Sequence, residues 1–432
     1  MNVLVLWKKY MTLKSIAQIS DECDETKERM LGLMKNCKRV LMKLLYCDWN
    51  SFCRADVLQA FENLGHTYNL FSIKDIVKKI GLDQGKIADL CNAIRSSKAD
   101  FVFSMNYFPM VSEACNRENV PYLSWIYDNP YQKGYSVNII NPCNYIFTFD
   151  SAMYEELSSQ GVSTIYYAPL AANPEHLCPS TLTQPNYKHD ISFVGALYNE
   201  DHNFYDEFVE NATQHHDSYW IGYIDALIQT QLAVYGTDII TTAIPAELPA
   251  LNYASINPWD EINAFFTTPQ TIFADNVLCR KITSIERLQL LENLSCHHNV
   301  SLYTRDASAV VGNCKNYGYA DYRLQMPEIF RTSKINLNIT LRSIKKGIPL
   351  RAMEIMGAGG FLLTNYQPDF LLHFEPGIDF VYYESMEDAC QKAAYYLQHE
   401  EERKQIAKNG FNKICMYHTY EKRLAEMLGI LN

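Results

Sequence analysis

Four cationic side chains lie close together in the sequence, just before and at the start of a short predicted helix. They are Arg342, Lys345, Lys346 and Arg351. Pro349 occupies the place of a first helical residue, where its missing N–H costs nothing. Because the N-terminus of a helix attracts anions and nearby cations strengthen that attraction, the stretch predicts a phosphate site. The alternative from the same residues is a solvated basic loop that enters an ordinary core helix.

The same helix carries a carboxylate beside one of these cations. Arg351 and Glu354 are three residues apart, so both lie on one face of the helix near its N-terminus. A carboxylate in that position can accept hydrogen bonds from the vicinal hydroxyls of a sugar. The pair Gly359-Gly360 then ends the helix, and the run at 361–365 predicts a buried strand.

A longer pattern extends from this helix almost to the end of the chain. Between residues 349 and 424 the sequence contains, in order, an Arg-x-x-Glu helix, a small-Gly-Gly turn, a strand ending in Thr-Asn and an acidic-aromatic loop. A helix with Glu-Glu-Arg and a final His-Thr-Tyr segment follow. This order of motifs resembles the C-terminal domain of the CgeB-like, group 1-type glycosyltransferases. The resemblance implies the GT-B fold, which is α/β with two Rossmann-like domains facing across a cleft, and a nucleotide sugar as co-substrate.

The resemblance also implies roles for individual residues. Glu354 is implied to hold the ribose of the nucleotide, and the start of its helix to face the diphosphate. We also predict a catalytic role for Arg351. One position departs from the broader family pattern, because Lys346 stands where retaining relatives often carry a second Glu. The base, the sugar and the stereochemical outcome therefore stay open. The predicted donor-binding residues are Gly195, Arg305, Lys346, Arg351, Glu354, Gly359 and Gly360.

Composition and charge exclude several classes of protein. With 432 residues, 48% of them hydrophobic and 20% charged, the chain predicts a folded protein of two or three domains. A net charge of −11 argues against a general nucleic-acid binder, which carries a broad basic face. Every apolar run is shorter than the about 18 residues that a membrane span requires, so no span is predicted.

The cysteines and the N-terminus indicate the compartment. The 13 cysteines are scattered without a Cys-x-x-Cys pair, which favours reduced thiols over disulfides or a zinc ribbon. The histidine pairs at 215–216 and 297–298 lack a second cluster at ligand spacing, so no metal site is predicted. The N-terminal apolar run is too short for a signal peptide. We therefore predict a cytoplasmic protein without a resident metal.

Strands and helices alternate from residue 40 to residue 170, which predicts βαβ units and a parallel sheet. Ligands bind beyond the carboxyl ends of the strands in such sheets. The polar residues that follow these strands include Asp48, Asn106, Asp128 and Asp150. No strand is followed by G-x-G-x-x-G, so the signature of a dinucleotide oxidoreductase is missing.

A second series of strands begins near residue 190. The first of them runs into a turn at Gly195, which either allows a phosphate to approach the backbone or makes a tight turn. A strand at 300–306 places Arg305 at its carboxyl end. The predicted division of the chain is a helical lead-in at 1–39, a Rossmann-like acceptor domain at 40–175, a linker at 176–189, a nucleotide-sugar domain at 190–415 with a helical insertion at about 200–295, and a terminal helix at 416–432 that crosses back.

An inverting transfer needs a general base in the first domain's half of the cleft. Asp128 is the candidate, because it follows a strand in a Trp-x-x-Asp-x-Pro setting that resembles the first domain of the family. The alternative is that Asp128 orders a turn before Pro130. Asp48 is a second candidate, whereas His418 near the terminal helix is predicted to be structural.

These residues lead to one prediction and two alternatives. We predict a metal-independent GT-B glycosyltransferase that moves a sugar from a nucleotide donor to a protein or glycan acceptor. A GT-B-type nucleotide-sugar epimerase shares the fold and the role of Glu354, whereas a non-catalytic surface-assembly or binding protein keeps the fold alone. Turnover of nucleotide sugars with and without an acceptor distinguishes the three.

Overall fold

The computed structural model describes residues 41–79, 81–178, 186–199, 203–252 and 266–431. The predicted helical lead-in at 1–39 lies outside the described residues, as does the middle of the predicted linker. Two parallel six-stranded sheets, each the centre of one domain, organise the part of the chain that is described.

The first sheet comes from the first part of the chain. Its strands are β1 (Lys43–Asp48), β2 (Thr67–Ser72), β3 (Phe101–Met105), β4 (Tyr122–Ile126), β5 (Asn144–Thr148) and β6 (Ile165–Tyr167). They pair in the order β2-β1-β3-β4-β5-β6, all in parallel. The connecting helices are α1 (Arg54–Asn63), α2 (Gln84–Ser97), α3 (Pro109–Glu118) and α4 (Ser151–Ser159), with two short 3₁₀ turns, Gln132–Tyr135 and Val137–Ile140, before β5. Every residue of β3 and β4 is buried, as in strands covered on both faces.

The second sheet follows the same plan. Its strands are β7 (His189–Val194), β8 (Val300–Tyr303), β9 (Lys315–Asn316), β10 (Ser333–Asn338), β11 (Leu362–Asn365) and β12 (Val381–Tyr383). They pair in the order β12-β11-β10-β7-β8-β9, again in parallel. The two edge strands, β9 and β12, were not predicted, because two and three residues are too few to show an alternating pattern.

A short helix, α5 (Pro174–Leu177), follows β6, and a helical insertion separates β7 from β8, which confirms that part of the fold prediction. The insertion contains α6 (Phe204–Gln214), α7 (Ser218–Leu232), α8 (Ile240–Ala243), a 3₁₀ turn (Pro249–Asn252), α9 (Pro269–Phe273), a π-helix (Ala274–Leu278) and α10 (Cys279–Ser295). Its helices enclose an apolar core of their own, in which Phe208, Ile224 and Phe273 are fully buried.

The last helices complete the second domain and return to the first. They are α11 (Met326–Thr332), α12 (Leu350–Gly357), α13 (Phe370–His373), α14 (Met386–Gln398), α15 (Glu400–Tyr417) and α16 (Tyr420–Leu431). Helix α16 packs on α1, where Asn63 Nδ2 donates to Glu421 Oε1 at 3.0 Å. The Tyr420 ring lies edge-on to Trp125, with 5.9 Å between the ring centroids. Residues of both domains therefore share one apolar core.

Candidate functional site

The two domains meet where β5 and β10 end. Asp150 follows β5 and is buried, with 2% of its surface exposed. Its carboxylate accepts the backbone N–H groups of Lys345, Lys346 and Gly347, at 2.8, 3.1 and 3.2 Å. It also accepts the N–H of Ala152 at 3.0 Å and so caps α4. Three successive amides that point at one anion form an anion-binding nest, and here a protein carboxylate fills it.

The geometry around this contact leaves no space for a side chain at Gly347. A Cβ there would lie 2.9 Å from Asp150 Cα and 2.9 Å from the carbonyl oxygen of Phe149. Burial raises the pKa of Asp150, and the amides of Lys345 and Ala152 oppose that shift. The contact is therefore a close approach of two backbones, joined by one ionisable group.

A second carboxylate strengthens the same junction from the opposite domain. Asp369 accepts the backbone N–H of Ser151 at 3.1 Å and its hydroxyl at 2.6 Å. Asp369 in turn donates its own N–H to the carbonyl of Lys346 at 3.1 Å. Burial raises the pKa of Asp369 to about 6, against the hydrogen bonds from Ser151. The N-terminus of α4 is thus fixed to two segments of the second domain.

Each of the four cations predicted to form a phosphate site lies beside a carboxylate. The pairs are Arg342–Glu286, Lys345–Asp238, Lys346–Glu155 and Arg351–Glu354. In the arrangement described, a phosphate at this stretch would have to exchange with these carboxylates. The phosphate site remains a prediction.

Helix α12 presents Glu354 at the junction between the domains. Pro349 is its N-cap with ψ of 150°, so the expectation that Pro349 is the first helical residue is wrong by one position. Glu354 is 3% exposed, and its Oε2 accepts a hydrogen bond from Arg351 Nη1 at 2.7 Å. Its Oε1 is buried and has no hydrogen-bond partner among the described residues. Burial raises the pKa of Glu354, and the charge of Arg351 and the nearby hydroxyl of Tyr322 oppose that shift.

Arg351 is held in place by more than its ion pair. Its guanidinium also donates to Met326 Sδ at 3.0 Å and lies 5.4 Å from the centre of the Phe330 ring. This environment fixes Arg351 beside Glu354. The contacts fit a residue that orients the carboxylate.

Side chains from both domains surround Glu354, and the sequence did not single them out. Tyr322 lies beside the carboxylate, and its ring is 6.0 Å from that of Phe52 in the first domain. Besides burial, which dominates, the charges of Glu354 and the buried Asp56 raise the pKa of Tyr322. The only sequence signal for Phe52 was its place directly after the polar break that follows β1.

Asp128 lies at the carboxyl end of the first sheet and is exposed to solvent. Its Oδ2 accepts a hydrogen bond from Asn106 Nδ2 at 2.6 Å, and Asn106 Oδ1 accepts the N–H of Tyr127 at 3.0 Å. Asn106 itself has a φ of 59°, which an Asn tolerates better than most residues. The protein around Asp128 reduces its solvation and raises its pKa, against the hydrogen bond from Asn106. Besides burial, Asp56 and Asp128 both raise the pKa of Cys53, so Asp128 shares one region with the neighbours of Glu354.

The two other residues weighed for acid–base roles have structural partners. Asp48 accepts the N–H of Asn50 at 2.8 Å and pairs with Arg54 at 2.9 Å. His418 is buried, and its Nδ1 lies 3.0 Å from Arg423 Nη2. Burial and the charge of Arg423 lower the pKa of His418 to about 2.

The other predicted donor-binding residues lie apart from Glu354. Gly195 donates its N–H to the carbonyl of Tyr303 at 3.0 Å, and Arg305 is exposed after β8. Gly359, with φ of 75°, and Gly360 form the turn from α12 into the amino end of β11. A Cβ on Gly360 would lie 2.6 Å from the side chain of Asn336. Among the predicted residues, the structure thus pairs Arg351 with Glu354, places Lys346 at the contact with Asp150, and gives the glycine pair a place in the turn.

No three His, Cys, Asp or Glu side chains in the described part of the chain converge as metal ligands would. No helix in the described ranges has the length and apolar character to cross a membrane.

Residues 280–429, which include Glu354 and the basic stretch, match the glycosyl transferase-like family. The sucrose-phosphate synthase of Thermosynechococcus elongatus is similar in structure, with a TM-score of 0.51 and 8% sequence identity over 90% of this chain and 98% of that chain. The fold is GT-B. This confirms the predicted fold class.

Two further structures of known proteins are similar to this chain. One is a glycosyltransferase from Rickettsia africae ESF-5, with a TM-score of 0.49, 11% identity and coverage of 90% of this chain and 97% of that chain. The other is HepE of Anabaena in complex with UDP, with a TM-score of 0.48, 10% identity and coverage of 90% and 100%. No curated protein matches the sequence.

Replacing Asp150 by Ala should weaken the junction between the domains. The change leaves the amides of Lys345, Lys346 and Gly347 without their acceptor, and we expect a loss of about 3–5 kcal/mol in the free energy of unfolding. Urea denaturation measures it. Asp306→Ala is the control, because this exposed carboxylate also accepts a backbone N–H, from Ser308. Equal effects of the two changes would contradict the role given to Asp150.

The raised pKa of Asp369 predicts a pH dependence of stability. As the pH rises from about 4 to about 6, the unfolded chain ionises this carboxyl before the folded chain does. The contribution of Asp369 to the free energy of unfolding should therefore fall by up to about 3 kcal/mol over that range. Above about pH 6 this contribution should stay constant. Urea denaturation at several pH values compares the wild type with Asp369→Asn. The same slope in both proteins would contradict the assignment.

Proposed function

We propose that this protein is a nucleotide-sugar-dependent glycosyltransferase of CgeB-like type that transfers a sugar to a protein or glycan acceptor. The observation that carries the proposal is the buried Glu354, one oxygen of which has no hydrogen-bond partner among the described residues. The match of residues 280–429 to the glycosyl transferase-like family supports it, as does the order of motifs at 349–424.

The chemistry of Glu354 fits the ribose of a nucleotide. A buried acceptor without a donor costs about 1–3 kcal/mol, so a ligand that supplies a donor gains that amount on binding. Arg351 already occupies Oε2 and supplies the positive charge. A neutral group with adjacent hydroxyls can donate to the remaining oxygen without adding charge, and a ribose has this form.

The stretch before α12 is proposed as the place of the diphosphate. The amides of Lys345, Lys346 and Gly347 are filled by the carboxylate of Asp150, so the ligand would use the start of α12 and the adjacent side chains. The start of α12 and the adjacent cations add positive potential. Together they can stabilise the charge that develops on a leaving nucleoside diphosphate, so we propose a reaction that needs no resident metal.

We propose Asp128 as the general base of an inverting transfer, with the first domain on the acceptor side of the cleft. The group is exposed, is oriented by Asn106 and has a pKa above its usual value. A base with a raised pKa accepts a proton from an acceptor hydroxyl more readily.

We also propose a cytoplasmic location. The eleven described cysteines are all free, and five of them are buried. Such thiols are typical of a reducing compartment.

Glu354→Ala should weaken nucleotide binding while the fold persists. We expect at least a roughly tenfold loss of affinity for the nucleoside diphosphate that binds the wild type, because a charge-assisted hydrogen bond is removed. Calorimetry with the diphosphates of uridine, guanosine, thymidine and adenosine measures it, and thermal unfolding checks the fold. The control is Glu401→Ala, whose side chain is 90% exposed. An unchanged affinity would remove Glu354 from the donor site.

Asp128→Asn should lower transfer by about a hundredfold or more and leave donor affinity unchanged. The assay follows release of the nucleoside diphosphate from its sugar, with and without a panel of sugars and peptides as acceptors. Asp48→Asn is the control, since this carboxylate lies at the same edge of the sheet and pairs with Arg54. Full activity of Asp128→Asn would contradict the proposal, and sugar conversion without any acceptor would point to an epimerase.

A further inference from the structure

A small cavity lies in the cleft next to the proposed base. It is partly open to solvent and has room for about one group the size of a water molecule or a hydroxyl. It is bounded by the segment after β4, by α4, by the segment after β10 and by the inserted helices. Its wall contains the polar residues Asn129, Asp150, Glu156, Asp275, Ser343 and Lys345, together with Tyr131 and Tyr135. Asn129 directly follows Asp128 in the chain.

Three polar atoms of this wall are buried without a hydrogen-bond partner in the described part of the chain. They are Asn129 Oδ1, Asp275 Oδ1 and Ser343 Oγ. Ser343 is 2% exposed, so its hydroxyl has no other access to solvent. Buried polar groups of this kind are rare in folded proteins, and three around one cavity indicate a ligand or water that bonds to all of them.

The helical insertion supplies one of the three atoms. Asp275 lies in the π-helix Ala274–Leu278, between α9 and α10. Such short π segments occur frequently at functional sites, because they alter the direction of a side chain within a helix. Burial raises the pKa of Asp275 to about 7. The insertion thus contributes a carboxyl group to the junction of the two domains.

The charges around the cavity disfavour an anionic occupant. Lys345 is the one cation of the wall, and its Nζ is already 2.9 Å from Asp238. The carboxylates of Asp275 and Asp238 raise the pKa of Lys345 although burial alone would lower it. The three atoms without a partner are two oxygen acceptors and one hydroxyl. They suit a ligand whose groups both donate and accept hydrogen bonds.

We propose that this cavity receives a hydroxyl-bearing edge of a sugar ring, with Asn129 and Asp275 accepting from its hydroxyls and Ser343 completing the set. The inference rests on the proposed function and deepens it. It makes the helical insertion an element that selects the sugar. The sugar belongs either to the donor or to the acceptor, since the chemistry recognised is the same.

The test compares Ser343→Ala and Asp275→Asn with matched changes outside the cavity. Ser308→Ala and Asp225→Asn are the controls, because both residues are exposed and Asp225 is on the insertion. Calorimetry gives the affinities for the four nucleoside diphosphates and a panel of their sugar conjugates. Saturation-transfer NMR gives the binding of a panel of methyl glycosides, with and without the diphosphate. Thermal unfolding without ligand should show no loss for Ser343→Ala, because the variant removes a hydroxyl that has no partner.

Each outcome decides the inference. A loss of about tenfold for a sugar conjugate, with the bare diphosphate unaffected, assigns the cavity to the donor sugar. Retained conjugate affinity with loss of a methyl glycoside assigns it to the acceptor sugar. No change in either, or a marked loss of stability in Ser343→Ala, would overturn the inference in favour of bound water or a structural role.

Different results would overturn the inference and the proposed function. If no nucleotide or conjugate binds the wild type, the proposed function fails. Glycoside binding that depends on Asp275 would still support the cavity as a sugar site. Absence of that binding as well would overturn both.

Discussion

The placement of the two domains depends on one buried carboxylate and the three amides that bind it. Asp150 at the end of β5 accepts hydrogen bonds from Lys345, Lys346 and Gly347, and it caps α4 at the same time. The basic stretch was predicted to attract a phosphate, and its backbone does bind an anion in this arrangement. The anion is part of the protein. The amides of such a nest accept an anion of either kind, and the phosphate site itself stays a prediction.

This junction also determines what surrounds Glu354. Its helix belongs to the second domain, whereas Phe52 and Asp56 belong to the first. The close contact at Gly347, which admits no side chain, brings these groups together. A carboxylate with one oxygen unpaired is costly in a folded protein, and it persists here because the ion pair with Arg351 and the packing of α12 hold it.

The features that the sequence predicted depend on interactions between near neighbours. They are the alternating strands and helices and the helix that carries Glu354. The ion pairs were not predicted. Glu286 and Glu155 lie 56 and 191 residues from the cations that they bind, and nothing in the local pattern indicates them. The sequence did not indicate Asp275 as a site residue. The direction of its side chain depends on a π-helix, and the apolar segment around it shows no sequence pattern for one.

Under the proposed function, the parts of a nucleotide sugar would follow one segment of the chain. Glu354 would accept from the ribose, the start of α12 would lie toward the diphosphate, and Ser343 borders the cavity proposed for the sugar. The charges near the cavity support this direction. Three carboxylates and one lysine line it, so an anionic diphosphate is disfavoured there, whereas the hydroxyls of a sugar find hydrogen-bond acceptors. The proposed function therefore assigns the nucleotide to the end at Glu354 and the sugar to the end at Ser343.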